Sequence, residues 1–466
     1  MKSKFFCIII SFAVLLPTTI PAYSQNSWAT FLPDAEIAVK MLKTGDGNYL
    51  TLSKSGYQDE FYLHKLDPDG NILWEKSFEP DTGQFSTLRI IELSDSKLFI
   101  CGWENGKPFS MLCSSQGDSI WHHRYDSFVI GSGYSGCQFY YPVEYSENGV
   151  MLLSGCGPYY LTKISLLDGD ITASDSIYHI NHLSKTSDPA KFLAIEFSPS
   201  QYGYNDYYII DTNFNIVSHR NLKFIPGLFT DYRENTIKVD PVSNNYYMYG
   251  MQFGSQAGEP YYSGFIIFNQ QLDSIGFIED TDYCPYLNWL IGLTVHDFAF
   301  TSDDMIALTG SVYYNQMSHV VLVKCTKDGT PVINIIYDDI SMKYGESILE
   351  DNGAFVMLQD RLEAPYWSFV VKTNSDGTVS SPIINQSSDK GVSLSPNPVS
   401  DILVLGNLKN EGWNIEIYDS LSQQCLRVKI SNTDEYSLDI SNLISGQYFI
   451  KCTNDKKTFV YKIIKL

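Results

Sequence analysis

Gly47-Asn48-Tyr49-Leu50-Thr51-Leu52, Phe61-Tyr62-Leu63-His64-Lys65-Leu66, Asp67-Pro68-Asp69-Gly70-Asn71 and Ile72-Leu73-Trp74 make up one repeat unit. Apolar residues alternate along its runs, and a polar, glycine-bearing turn separates the last two, which is the chemistry of antiparallel hairpins. A second copy runs from Lys97-Leu98-Phe99-Ile100 to Gln116-Gly117-Asp118-Ser119-Ile120-Trp121, and a third from Gly149-Val150-Met151-Leu152-Leu153 to Leu167-Asp168-Gly169-Asp170. Fainter copies centre on Asp211-Thr212-Asn213-Phe214-Asn215, Gln271-Leu272-Asp273-Ser274, Lys327-Asp328-Gly329-Thr330 and Asn374-Ser375-Asp376-Gly377. With Gly70, Gly117, Gly169, Phe214, Asp273, Gly329 and Gly377 as equivalent points, the unit recurs every 45 to 59 residues. Seven such units, read as four strands each, predict a seven-bladed β-propeller, because one small sheet cannot bury its faces alone. The variation in length is expected mainly between second and third strands, at 200–206 and 252–262.

Outside the repeat, the two ends depart from its pattern. Lys2 and Lys4, an apolar run from Phe5 to Pro17, and Ala22-Tyr23-Ser24 follow the order of a secretory signal, with removal expected near Ser24. The apolar run is shorter than the ~20 residues that span a bilayer. From Asp389 a new all-β segment opens with Pro396-Asn397-Pro398. It continues through Asp439-Ile440-Ser441-Asn442-Leu443 and Gly446-Gln447-Tyr448 to a basic last strand with Lys462 and Lys465.

Those elements, in that order, resemble the type A sorting domain of the type IX secretion system in Bacteroidota. The sorting motif is then Pro396, Asn397, Pro398, Asp439, Leu443, Gly446, Tyr448, Lys462 and Lys465, with Ile440 standing where the family has Leu. The resemblance implies passage through the periplasm, recognition by the secretion machinery, and a surface or secreted location. It also implies frequent removal of the domain and attachment of the remainder to surface lipopolysaccharide, or release. The expected organisation is a signal peptide at 1–24, a propeller at 25–388 and a small Ig-like β-sandwich sorting domain at 389–466. The Asp-Gly-Asn-Ile-Leu-Trp turn is similar to the repeat of large exported Bacteroidota propellers. It also resembles the sialidase Asp-box, but one extra residue separates Gly70 from Trp74, so the turn reads as structural.

A formal charge of -21, from 32 basic and 53 acidic residues, argues against a nucleic-acid partner, which needs clustered Lys and Arg. HExxH, GxSxG and Walker-type patterns are absent. Gly131-Ser132-Gly133-Tyr134-Ser135-Gly136 is followed by a strand-like run, not the helix a dinucleotide site requires. Gly117-Asp118-Ser119 sits in a repeat turn. His122-His123, His296-Asp297, Asp67 with Asp69 and Asp303 with Asp304 lack the further ligands a metal needs, and adjacent strand histidines point to opposite faces. No metal or cofactor is expected. The cysteines are scattered without CxxC, and Cys425 with Cys452 is the favoured pair if a disulfide forms.

The remaining feature is tyrosine. Of 33 in the chain, Tyr134, Tyr140, Tyr159, Tyr204, Tyr261 and Tyr313 fall in or beside expected loops, where an apolar ring with a polar tip suits sugar stacking or a protein anchor. The favoured reading is a non-enzymatic, exported module that binds a glycan or protein. The alternative is a hydrolase or lyase acting on extracellular polysaccharide, with carboxylates gathered at the mouth of the propeller channel.

Overall fold

The computed structural model describes residues 27–465 apart from 57–59, 81–82, 126–137, 156–158, 176–179, 198–204, 223–224, 227–236, 253–261, 280–292, 315–316, 338–343, 362–366, 380–391, 396–398, 407, 409–410, 420–423, 432, 445 and 455–457. Strand β1 (Trp28–Leu32) precedes blade 1, which is β2 (Ile37–Lys43), β3 (Tyr49–Lys54), β4 (Phe61–Leu66) and β5 (Ile72–Phe78). Blade 2 is β6 (Phe85–Glu92), β7 (Leu98–Glu104), β8 (Lys107–Cys113) and β9 (Ser119–Arg124). Blade 3 is β10 (Gln138–Ser146), β11 (Gly149–Gly155), β12 (Tyr159–Ser165) and β13 (Ile171–Asp175). Blade 4 is β14 (Ile180–Lys185), β15 (Lys191–Phe197), β16 (Asn205–Asp211) and β17 (Ile216–Leu222). In blade 5, β18 (Ile225–Pro226) and β19 (Ile237–Val239) share the inner position, followed by β20 (Tyr246–Gln252), β21 (Tyr262–Phe268) and β22 (Ser274–Glu279). Blade 6 is β23 (Leu293–Phe300), β24 (Ile306–Tyr314), β25 (Met317–Cys325) and β26 (Pro331–Tyr337), and blade 7 holds β27 (Tyr344–Asp351), β28 (Ala354–Arg361) and β29 (Trp367–Lys372).

Every blade is an antiparallel sheet, and the chain forms a seven-bladed propeller. The expectation that each unit supplies its own four strands fails in blade 7. There β1 pairs with β29, Trp28 opposite Lys372 and Leu32 opposite Ser368, so the N-terminal strand closes the ring. All five residues of β1 are buried, whereas an outer strand such as β5 alternates between half-buried and exposed residues. The closing strand thus brings apolar surface to both faces.

The core is a set of interblade clusters. Phe61, Phe85, Ile100 and Phe109 join blades 1 and 2; Val295, Phe298 and Leu308 meet Phe265 and Tyr249 between blades 5 and 6. Trp28, Leu32, Tyr49 and Leu358 seal blade 7 to blade 1.

The repeated turns explain the repeated glycines. Gly70, Gly117, Gly169, Gly329 and Gly377 have φ between 78° and 89°, which favours glycine. Phe214 (68°) and Leu272 (65°) hold that conformation in blades 4 and 5, so the blade 5 equivalent is Leu272, one residue before the expected Asp273. A Cβ on Gly70 would lie 2.5 Å from Trp28, and one on Gly117 2.9 Å from Trp74. The outer-strand tryptophan of one blade therefore packs on the turn glycine of the next. Hydrogen bonds reinforce this: Trp28 Nε1 donates to Pro68 O (3.0 Å), Trp121 Nε1 to Leu166 O (3.1 Å), and Tyr337 OH to Gly377 O (2.8 Å).

A second unit contains β30 (Ser393–Ser395), β31 (Ile402–Gly406), β32 (Trp413–Asp419), β33 (Gln424–Ile430), β34 (Tyr436–Asp439), β35 (Gly446–Thr453) and β36 (Thr458–Lys465). Sheets β30-β31-β34 and β33-β32-β35-β36 enclose Leu403, Leu405, Ile415, Ile417, Ile450 and Ile463, a small β-sandwich. Cys425 and Cys452 are not disulfide-bonded, so the favoured pair does not form. Cys452 is buried and Cys425 exposed, on strands separated by β32, and the required Cβ approach is out of reach.

Candidate functional site

Strand direction divides the propeller into two faces. Connections from first to second and from third to fourth strands share one face and are two to six residues long, for example 147–148, 240–245 and 326–330. Connections from second to third strands and between blades share the other and reach thirteen residues at 125–137 and 280–292. Length variation thus extends beyond the second-to-third connections to those between blades.

On the turn face, carboxylates bind blades together. Glu92 accepts from Gly45 N at 2.9 Å, Glu144 from Ser94 N at 3.0 Å and Oγ at 2.6 Å, and Glu350 from Ser302 Oγ at 2.9 Å, each reaching the preceding blade. Buried Asp351 accepts from Lys43 Nζ at 2.5 Å, Lys372 Nζ at 2.6 Å and Tyr49 OH at 2.7 Å. Burial alone would raise its pKa, but the hydrogen bonds from Lys372, Lys43 and Tyr49 together hold the carboxyl well below the usual carboxylate range. The paired acids singled out in the sequence act within their own blades instead. Asp67 Oδ1 caps its own turn by accepting from Asp69 N and Asn71 N, Asp303 pairs with Lys324 at 2.6 Å, and Asp304 pairs with Lys327.

The inner strands of six blades carry a bulge at corresponding positions, between Ala38 and Lys40, Ser86 and Arg89, Tyr140 and Val143, Ile180 and His182, Val295 and Asp297, and Gly345 and Ser347. In blade 5 the chain at this point runs through 227–236 instead. A bulge re-aims the side chains beside it. The His182 ring lies 4.4 Å from that of Tyr141, tilted by 54°, and burial, with a smaller push from Arg89, drives its pKa down to about 3, so the ring is neutral. His296 Nδ1 lies 3.4 Å from Glu346 Oε1, and Asp297 accepts from Lys238 Nζ (2.7 Å), Ser347 Oγ (2.8 Å) and Ile348 N (3.0 Å), joining blades 5, 6 and 7. His296-Asp297 therefore splits into two interblade contacts. His122 approaches buried Glu104 at 2.9 Å while His123 packs on Gly169, on opposite faces as expected. No group of three or more metal-ligating side chains is assembled among the described residues.

The tyrosines distribute as follows. Tyr134, Tyr204 and Tyr261 lie outside the described residues, as does the 131–136 glycine motif. Tyr140 lies in β10, half-buried, with its ring 6.1 Å from that of Tyr141, and Tyr159 and Tyr313 occupy the loop-face ends of β12 and β24. The connections holding the undescribed three join strand ends on this same face.

Blade 4 brings together a set that no motif announced. Register places Glu196, Asp206 and Asn221 in one row and Tyr208 and His219 in the next, at the loop-face end of the sheet. Asp206 Oδ1 lies 2.7 Å from His219 Nε2 and accepts from Asn221 Nδ2 at 2.9 Å, while Tyr208 OH donates to Glu196 at 2.9 Å. The Tyr208 and His219 rings stack at 4.7 Å, and His219 is 48% exposed. The only signal was period-two alternation, Asp206-x-Tyr208 and His219-x-Asn221, which any half-exposed strand shows.

In the sandwich, Tyr448 is buried with its OH donating to Ile444 O at 3.0 Å, and Leu443 packs on the core. Asp439 Oδ1 accepts from Ser441 N at 2.9 Å, Gly446 pairs with Lys465, and Lys465 reaches Asp401 at 3.5 Å. Lys462 holds the register position opposite Phe449, and Pro396, Asn397 and Pro398 lie outside the described residues.

Residues 393–466 match the secretion system C-terminal sorting domain family. The segment is a type IX sorting domain, which implies export through that system to the surface or medium. No curated protein matches the chain. Among solved structures the chain is similar to PorZ, a surface component of the type IX secretion system of Porphyromonas gingivalis. That match has 13% identity and a TM-score of 0.45, covering 93% of this chain and 60% of that one. It is also similar to the β-propeller domain of Cps50 (Swd1) from Myceliophteria thermophila, at 10% identity and TM-score 0.46 over 74% of this chain and 98% of that one. BamB from Moraxella catarrhalis matches at 12% identity and TM-score 0.37, over 75% and 94%. The chain thus spans 60% of the PorZ chain's length.

Proposed function

We propose that this chain is an exported propeller that binds a glycan through its loop face, without chemistry on it, at the surface or in the medium. The signal at 1–24 would open the route through the periplasm, the segment from 389 would engage the secretion machinery, and 25–388 would be the working part, held on lipopolysaccharide or released. The blade 4 set carries the reading: a stacked Tyr208–His219 pair offers ring surface, while Asp206, Glu196 and Asn221 offer acceptors and an amide for hydroxyl groups. Meanwhile the carboxylates Asp297, Asp351 and Glu350 are engaged in holding blades together.

The test is a glycan array with the full chain, followed by titration of retained glycans against a Tyr208→Ala/His219→Ala variant. Affinity should fall about tenfold or more, the scale of a lost stacking anchor, with a cooperative melting transition retained. Equal affinity would remove blade 4 from the site, and hydrolysis of the retained glycan would replace binding with catalysis.

A further inference from the structure

The negative charge of the chain stops at the sandwich. Residues 393–466 contain eight Lys and Arg against eight Asp and Glu, so the entire surplus of 21 acids lies before residue 393. Within the sandwich, charge is sorted by sheet. Strands β32, β33, β35 and β36 hold Arg427, Lys429, Lys451, Lys462 and Lys465 against Glu416 and Asp419, while β30, β31 and β34 hold Asp439 alone.

Alternation sends Trp413, Ile415, Ile417, Ile430, Ile450 and Cys452 into the core, which leaves Asn414, Glu416, Arg427, Lys429, Lys451 and Thr453 on the outer side. Register arranges these in two rows, Lys429-Asn414-Thr453 and Arg427-Glu416-Lys451. Glu416 stands between Arg427 Nε at 3.4 Å and Lys451 Nζ at 3.8 Å, so one carboxylate organises two partly exposed cations. Lys429 forms no ion pair among the described residues. Beside it a groove of about 390 Å³ is lined by Gly412, Asn414, Ser431, Thr453 and Asn454, and Asn414 Oδ1 is buried there without a hydrogen-bond partner among the described residues.

We propose that this outer face is a docking surface for an acidic protein segment, with Arg427, Lys429 and Lys451 meeting its carboxylates and the groove receiving one of its polar side chains. Opposite charge would guide encounter and set orientation. A protein fits better than a membrane, because Glu416, Asn414 and Thr453 are interleaved with the cations in the two rows, whereas retention on anionic lipid rests on uninterrupted clusters of about four to eight Lys and Arg. The sheet face also offers rows and a groove, which a strand or loop can match and a fluid headgroup layer does not require.

The full chain, produced in a bacterium with type IX secretion, would carry Arg427→Glu, Lys429→Glu and Lys451→Glu together, with export measured as the ratio of surface and medium protein to periplasmic protein. Reversal should lower that ratio about tenfold or more, and the charge-keeping set Arg427→Lys, Lys429→Arg and Lys451→Arg should export normally. Export of the reversed chain at the wild-type ratio overturns the proposal. If reversal abolishes the melting transition, a Gln set takes its place: a severalfold loss is expected, and unchanged export again overturns it. Purified full chain is also mixed with vesicles of phosphatidylglycerol and phosphatidylcholine in equal parts. No retention is expected; retention that the reversed variant loses would identify a lipid surface and overturn the protein reading.

Discussion

The two faces of the propeller are made by the same strands yet follow opposite rules. On the turn face, connections stay between two and six residues long, and side chains are spent locally or on a neighbouring blade: Asp67 caps its turn, Gly70 receives Trp28, and Glu92 reaches Gly45. On the loop face, connection length varies widely, and blade 4 leaves Tyr208, His219 and Asp206 half-open. Uniformity marks the face that assembles the ring, and variation marks the face free to acquire a ligand, as loops on a rigid scaffold generally do.

Substitutions can break or sharpen that contrast. The largest expected effect is Trp28→Ala, which empties the seal between β1 and blade 1 and should cost about 4 kcal/mol, read from chemical denaturation. Preserved stability would show that ring closure does not depend on the turn-face latch. Asp351→Asn should cost about 3 kcal/mol, because Lys43 and Lys372 would face a neutral partner. Its pH dependence is specific. The depressed pKa of Asp351 makes its contribution full above the unfolded carboxylate value of about 4, and the gap between wild type and variant should close as pH falls below that. Melting temperatures at pH 7 and under progressive acidification check this; a constant gap would mean the carboxylate charge is not involved. Asp67→Ala should cost about 1 kcal/mol through two lost backbone caps. His219→Ala, on the loop face, should change stability by less than about 0.5 kcal/mol while weakening glycan binding. A His219 variant as unstable as the Asp351 variant would erase the distinction between the faces.

How much of this was legible follows from where each signal is stored. The hairpin unit ending in Gly70 and Trp74 exposed its period because left-handed turns demand glycine and the next blade's packing demands a large ring, both local requirements repeated in order. Phe214 and Leu272 blurred the pattern, since they hold the same positive φ without glycine. The blade 4 set was invisible because Asp206 and His219 meet across a hairpin, with nothing in either strand to mark the pairing.

The sequence by itself determined the blade number, the all-β class and the sorting domain, because periodicity, turn chemistry and an ordered motif are all written along the chain. Only the tertiary structure decided that β1 completes blade 7, that inner-wall carboxylates serve as interblade staples, and that Cys425 and Cys452 stay apart. Each of these depends on which residues distant in sequence become neighbours when the ring closes, and buried surface and charge pairing, unlike turns, act through space.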